Sequence, residues 1–435
     1  MNKKTTILLG LNELNFDFIK YYIKNGDLPN FKKLFENFKV VETTSENKHE
    51  LLEPWIQWAT VHTGKSFKEH KIFRLGDITK TNENQIFEYL ESKGKTVGAV
   101  SPFNAKNNLN NPKFFIPDPW TITKVSGNWF IKSLYNSIHQ SVNDNASGKL
   151  SIGTLLTLAT GLLRVVPIKK YPKYIKLFSQ RKNSGIKAVI LDLLLSDTFI
   201  FLYKKHKPDF SNLFLNSGAH IQHHYLFNSA AYKGSLTNPE WYCKKGFDPL
   251  IVLLKQYDDL IGQLLRSDIN LFLATGLHQQ PHKNLTFYWR INKHNEFVSS
   301  LKIKGVKEVL PRMSRDFLIE FSSDQTAKKA EEILNSVIME KDKAKVFNID
   351  NRGSSLFVEL IYSSDIRDGD SIRSTVDKEL SITNFKKHIS FVAIKNGEHN
   401  GIGYFVYNPN NINKVKKSKI ELKKVRGIIE QTVLS

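Results

Sequence analysis

The chain opens with an unbroken apolar run, "TTILLGL", that stops at the polar pair Asn12–Glu13. Directly after it, Phe18, Ile19, Tyr22 and Ile23, and then Phe31, Leu34 and Phe35, recur three or four positions apart. A short apolar stretch bounded by polar residues reads as a buried strand, and the three-to-four spacing reads as the inward face of a helix. Gly26 and Pro29 divide the helical region in two, a glycine near one end and a proline near the next start. "IFEYLESKGKTVGAV" repeats the order, with a helix closed by Gly94 and a strand over Thr96 to Val100. Further on, "AVILDLLLSDTFIFLYKKH" predicts a buried helix and "KPDFSNLFLNS" a strand. "FDPLIVLLKQYDDLIGQLL" predicts an amphipathic helix, and "INLFLATGLHQQPH" a strand opening into a loop. Such alternation argues for βαβ units: an α/β protein with a doubly wound, mostly parallel central sheet and helices on both faces.

Two stretches interrupt this rhythm. Residues 120–190 form a basic helical insertion: no acidic residue occurs from Asn145 to Leu191, while Lys149, Arg164, Lys169, Lys176 and Lys187 all fall there. Residues 283–387 mix strands with one helix, "DQTAKKAEEILNSVI", and are expected to form a small α/β insertion ahead of the last core strand. The whole of 1–435 is then one large domain carrying both inserted subdomains. The basic tail "NKVKKSKIELKKV" reads as a solvated terminal helix or a strand edge.

Composition narrows the classes. Lys and Arg total 63 against 42 Asp and Glu, a formal charge of +21, so the surface draws anions without selecting among them. Nucleic acid ranks last, because no base-reading motif accompanies the charge. Cys243 is the sole cysteine, which excludes an internal disulfide framework and any multi-cysteine metal site, and points to a reducing compartment, the cytoplasm. The N-terminal lysines precede an apolar run without a small-residue cleavage pattern, so the run is read as a strand. "LSIGTLLTLATGLLRVVP" is broken by Arg164 and Pro167 and is short for a bilayer span, which leaves peripheral membrane contact as the membrane option.

Histidines supply the candidate chemistry. "NLFLNSGAHIQHHYLFNS" gathers His220, His223 and His224 within a helical turn, where residues three and four apart share a face. They either ligate a metal or hydrogen-bond within the helix. "TGLHQQPH" carries His278 and His282, and "NGEHNGIGYFVYNP" carries His399 in a glycine-flanked loop ahead of an apolar strand. Ligands of open α/β sheets sit beyond the carboxyl ends of the strands, so these segments and Asn12–Glu13 could converge. Glu13 could equally cap the next helix. His62 is expected in packing and His70 at the surface. Trp55 and Trp58, three apart, are core or a sugar-stacking wall. Arg312 and Arg315 flank Ser314 and either pair at the surface or offer guanidinium groups to an anion.

In their order, these features resemble the alkaline phosphatase superfamily, in particular its phosphodiesterase and nucleotide pyrophosphatase branch. "LLGLNEL" with "GDLPNFKKL" is similar to that branch's first strand, metal loop and helix start, and "EPWIQWATVHTGKSFKEHKIF" to its nucleophile segment. "KPDFSNLFLNSGAHIQHHY" and "GEHNGIGYF" resemble the segments that supply later metal ligands. The likeness spans roughly the first 130 residues, then 190–290 and 388–410. It implies an alkaline phosphatase-like fold and a hydrolase or transferase acting on a phosphate or sulfate ester, with two divalent metals in the ordinary mechanism.

The chain departs from that pattern. Asn12 stands where the family has an aspartate, Pro54 where it has a hydroxyl nucleophile, Ala219 where an aspartate precedes the histidine, and "TGLHQ" where Ser-Asp-His-Gly is usual. The resemblance therefore implies an altered site. Asn12, Glu13, His220, His223, His224, His278 and His399 are its candidate ligands for a divalent metal, zinc or manganese; His223 and His399 keep family positions. Glu53 and Gln57 are candidates for catalysis, Glu53 as base or nucleophile, and Trp55, Trp58, His282 and Arg315 for substrate contact. The expected partner is a phosphorylated or sulfated small molecule or glycan. The competing expectation is a catalytically inactive relative that binds an anionic glycan, a partner or a membrane surface.

Overall fold

The computed structural model describes residues 4–143, 161, 163–311, 315–409 and 418–435. Lys149, Arg312, Ser314 and the first part of the basic tail lie outside the described residues.

The chain divides into two compact units. The larger comprises residues 1–235, 239–281 and 397–435 and is built on an eight-stranded sheet. Its strands, numbered in chain order, are β1 (Thr5–Leu11), β2 (Lys39–Thr44), β3 (Val97–Val100), β4 (Phe114–Ile116), β5 (Phe210–Leu215), β6 (Ile269–Ala274), β7 (Ile402–Tyr407) and β8 (Lys419–Glu421). They lie side by side as β8-β2-β7-β6-β1-β5-β3-β4. All pairings are parallel except the two made by β7, which runs against both β2 and β6. Within the described residues, Lys419–Glu421 of the tail form an edge strand, and Lys424 and Val425 begin the last helix.

Strand β1 shows why the mostly parallel sheet is read so easily from an apolar run. Successive side chains face opposite sides. Ile7, Leu9 and Leu11 enter one core with helices Phe16–Lys24, Pro29–Asn37, Ile186–His206 and Pro249–Leu265. Leu8 enters a second core with helices Pro54–Thr63, Ile86–Ser92 and Lys424–Leu434. Covered on both faces, the strand has no polar alternation to show. Each such buried side chain contributes about 1.5–3 kcal/mol.

Gly10 admits a close approach here: a Cβ on it would lie 2.6 Å from Trp58 and 2.9 Å from Phe214. Those two rings meet edge to face at 4.8 Å across the glycine, so the helix Pro54–Thr63 lies close on β1. Trp58 takes the core role, with no exposed surface. His62, one turn on, is likewise sealed in, but His70, expected at the surface, is buried with its Nε2 3.1 Å from the Thr60 hydroxyl.

The register of the central strands sets their carboxyl ends level. Leu11 pairs with Leu215, and Gly10 with Ala274. The next residues continue the ladder: the Asn12 amide donates to the Leu215 carbonyl (3.0 Å) and the Glu13 amide to the Thr275 carbonyl (3.0 Å).

The smaller unit comprises residues 236–238 and 282–396. It contains an antiparallel four-stranded sheet in the order Phe347–Asn351, Ser355–Leu360, Asp316–Phe321 and Val306–Pro311, with the helix Asp324–Asn335 and a small three-stranded sheet. Strands His278–Ile291 and Ile389–Asn400 pair with each other and carry the chain into this unit and back.

That pair corrects two expectations. The segment after Thr275 is not an extended loop but turns at once into a strand, and His399 lies in a strand, one residue before its end. In "HQQPHKN" the strand is polar on both sides, so there is no hydrophobic period to read, and its internal Pro281 suits a two-stranded ribbon in which both strands are edges.

Candidate metal centre

Three elements of the larger unit deliver one side chain each to a common point. Glu13 follows β1, His223 sits on the helix Ser217–Tyr225 that follows β5, and His399 is the last residue but one of the strand that precedes β7. Glu13 Oε2 lies 3.0 Å from His223 Nε2 and 3.1 Å from His399 Nε2, and the two imidazole nitrogens are 3.2 Å apart. Among the described residues, this is the group of three or more His, Cys, Asp or Glu side chains that could hold a metal ion.

The carboxylate is pinned. Glu13 is buried and its backbone is left-handed, φ +57°, a conformation that costs a residue with a Cβ about 1–2 kcal/mol. The surrounding hydrogen bonds hold it there. Its N–H donates to Thr275, and its carbonyl accepts from the Gln279 amide (3.0 Å) and from Gln222 Nε2 (3.0 Å). Gln222 in turn accepts from the Asn15 amide (3.1 Å). Asn15, not Glu13, caps the following helix, its side chain accepting from the Asp17 amide at 2.8 Å.

Two side-chain amides address the carboxylate directly. Asn12 Nδ2 donates to Glu13 Oε1 (3.1 Å) and to Asn216 Oδ1 (2.8 Å), while Asn12 Oδ1 accepts from the Trp58 indole N–H (2.8 Å). Gln279 Nε2 donates to Glu13 Oε2. Gly397 makes room for this amide, since a Cβ there would lie 2.0 Å from Gln279 Oε1. Burial by itself would raise the Glu13 carboxyl; the facing His399 and His223 outweigh it and hold the group well below the usual carboxylate range.

Glu53 stands at the N-cap of the helix Pro54–Thr63, half-buried, its Oε2 3.9 Å from His399 Nδ1. Gln57, one turn into that helix, is buried and donates to the Leu51 carbonyl (2.8 Å), tying down the segment before Glu53. Trp55 is half-buried with its indole N–H on the Phe73 carbonyl (2.9 Å).

Of the remaining sequence candidates in the larger unit, His278, His220 and His224 do not join the three. His278 is buried, its Nδ1 2.7 Å from the Ile402 carbonyl and its ring stacked on Tyr404, and burial lowers its pKa. His220 is exposed, and its ring meets that of His224 edge to face at 5.0 Å. His282 and Arg315 belong to the smaller unit. There, His282 Nε2 lies 3.2 Å from the Thr286 hydroxyl, and Arg315 pairs with Glu359 (2.7 Å) and covers the Tyr288 ring.

Sequence reasoning missed the supporting amides Gln279, Asn216, Gln222 and Asn15. Two signals were there to find. "LLGLN" and "NLFLN" are parallel apolar runs each ending in asparagine, which a level register sets side by side. In "LHQ", neighbours on a strand face opposite ways, so Gln279 turns to Glu13 as His278 turns away.

No known family's sequence profile matches the chain, and no curated protein matches it. Among solved structures it is similar to phosphonoacetate hydrolase from Sinorhizobium meliloti 1021 in complex with phosphonoacetate, at 12% identity, covering 99% of this chain and 96% of that one, with a TM-score of 0.44. It is similar to human ectonucleotide pyrophosphatase/phosphodiesterase 5 at 10% identity, covering 99% and 95%, TM-score 0.44. It is also similar to alkaline phosphatase from the Antarctic bacterium TAB5 at 12% identity, covering 100% and 99%, TM-score 0.38.

Proposed function

We propose that the chain is a phosphate-ester hydrolase working through one divalent ion held by Glu13, His223 and His399. The observation that carries this reading is the triangle of Oε2 and two Nε2 atoms, with edges of 3.0, 3.1 and 3.2 Å. Ligand atoms at about 2.1 Å from an ion lie about 3.0 Å apart at octahedral angles and about 3.4 Å apart at tetrahedral ones, so the donor set fits zinc or manganese. A divalent ion in this setting supplies Lewis acidity toward a phosphoryl oxygen and toward water.

The chain's own residues divide the remaining work. Asn12 and Gln279 orient the Glu13 carboxylate, as partners of a ligand commonly do. Pro54, in the position of the family's hydroxyl nucleophile, offers no oxygen for a covalent ester, so the attacking group is water. Glu53 accepts its proton, and Gln57 steadies the backbone that leads to Glu53. The carrier of the phosphate is a small molecule or a glycan, and sulfate esters are the competing class.

Protein stripped of metal and reloaded with zinc or manganese is tested on aryl phosphate monoesters, phosphate diesters and sulfate esters. Metal-dependent turnover of a phosphate ester is expected. It is lost in His399→Ala, and falls about 100-fold in Glu53→Gln with the metal retained. Pro54 favours a second reading, a non-catalytic relative that holds an ion and binds an anionic glycan or partner. Stoichiometric metal with no turnover in any class would select it.

A further inference from the structure

The helix Tyr171–Ser179 seats Tyr174 and Leu177 in the core, so its opposite face should be polar. Instead Ile175 is 68% exposed and Phe178 38%, and Ile168, just before the helix, is 80% exposed. Trp129 at 80% and Leu163 at 67% add to them. Ile168, Ile175 and Phe178 fall within one short segment, whose Tyr171 hydroxyl donates to the Leu163 carbonyl at 3.4 Å, and the Arg164 guanidinium covers the ring of Phe130, the residue after Trp129, at 5.1 Å. Single exposed apolar residues are ordinary, but a cluster of large ones marks a contact surface.

The same segments carry exposed cations. Arg164, Lys169, Lys176, Lys182 and Lys187 are exposed, and among the described residues none has a carboxylate within ion-pair distance. Lys170 and Lys173, by contrast, are engaged by Asp197 and Asp259. A polyanion such as nucleic acid would use the cations but has no need of bulky aliphatic side chains. Aliphatic residues and an exposed tryptophan set among lysines and arginines suit the headgroup region of a bilayer, where the apolar groups enter and the cations meet acidic lipid. None of the described helices is long and apolar enough to cross a membrane.

We infer that this face docks the protein on the surface of an anionic lipid bilayer. The inference is independent of the chemistry at Glu13. Full-length protein is sedimented with vesicles of phosphatidylcholine containing phosphatidylglycerol, and with vesicles of phosphatidylcholine alone. Binding to the acidic vesicles only, weakened by salt, is expected. The exposed-site variants Ile168→Ser/Ile175→Ser and Lys169→Glu/Lys176→Glu each lower the apparent affinity by about tenfold or more, with unchanged circular dichroism. Tryptophan emission moves to the blue on binding, and this shift shrinks in Trp129→Phe. Failure to bind acidic vesicles, equal binding to neutral ones, or binding untouched by the aliphatic variant would overturn the inference.

Discussion

His62 is fully buried and the His223–His399 pair half-buried, and their situations are opposite. His62 has no exposed surface and no hydrogen-bond partner for either ring nitrogen; its ring faces Trp58 and Phe87. Burial, helped by the Arg426 guanidinium, pushes its pKa down to about 3. His223 and His399 instead converge on a carboxylate that is buried, held by two side-chain amides and fixed in a left-handed backbone. Burial alone leaves an imidazole neutral and inert. An oriented carboxylate gives paired imidazoles a common point to ligate.

The contrast can be tested from both ends, and the largest effect belongs to the pair. Either His223→Ala or His399→Ala should abolish stoichiometric metal in the purified protein, and turnover should fall by about 10³-fold or more, measured by elemental analysis and steady-state rates.

Next comes His62. Its pKa is about 3 when folded against an ordinary 6.5, so the unfolded chain takes up the proton first. Its contribution is intact above pH 6.5 and is lost as pH falls toward the folded value, about 3 kcal/mol by pH ~4. His62→Leu should remove this acid sensitivity in urea titrations run across that range, while leaving stability near neutrality equal or higher, because the orphaned nitrogens go. A wild-type acid limb unchanged in the variant would mean that the ring is not sealed.

The supporting amides should matter less than the ligands. Gln279→Ala is expected to weaken metal binding by about 10- to 100-fold. Gly397→Ala should act in the same direction, because its Cβ would displace the Gln279 amide from 2.0 Å. The smallest effect is predicted for His278→Phe, which keeps the stack on Tyr404 and loses the bond to the Ile402 carbonyl: metal stoichiometry unchanged and stability lowered by about 1 kcal/mol.

How much of this was legible in the sequence depends on what each residue touches. The parallel strands were readable because β1 and β5 are buried on both faces and leave continuous apolar runs. The convergence of loops followed from the same reading, since level strand ends bring Asn12 and Asn216 together. The polar strand from His278 was hidden because neither of its faces is apolar at the start. Local pattern could not rank Gln279 above His278, because strand alternation decides which of two adjacent side chains faces Glu13. His70 was misjudged for a similar reason: a polar residue among lysines and glutamates looks exposed, and only the distant packing that buries it shows otherwise. The left-handed backbone at Glu13 carries no glycine to announce it.

The central claim is that Glu13, His223 and His399 form one ion site. Calorimetric titration of metal-free protein with zinc tests it most directly. One tightly bound ion per chain, lost in Glu13→Gln and in His399→Ala but kept in His278→Phe, is the predicted result. No saturable binding by the wild type, or equal binding by all three variants, would contradict it.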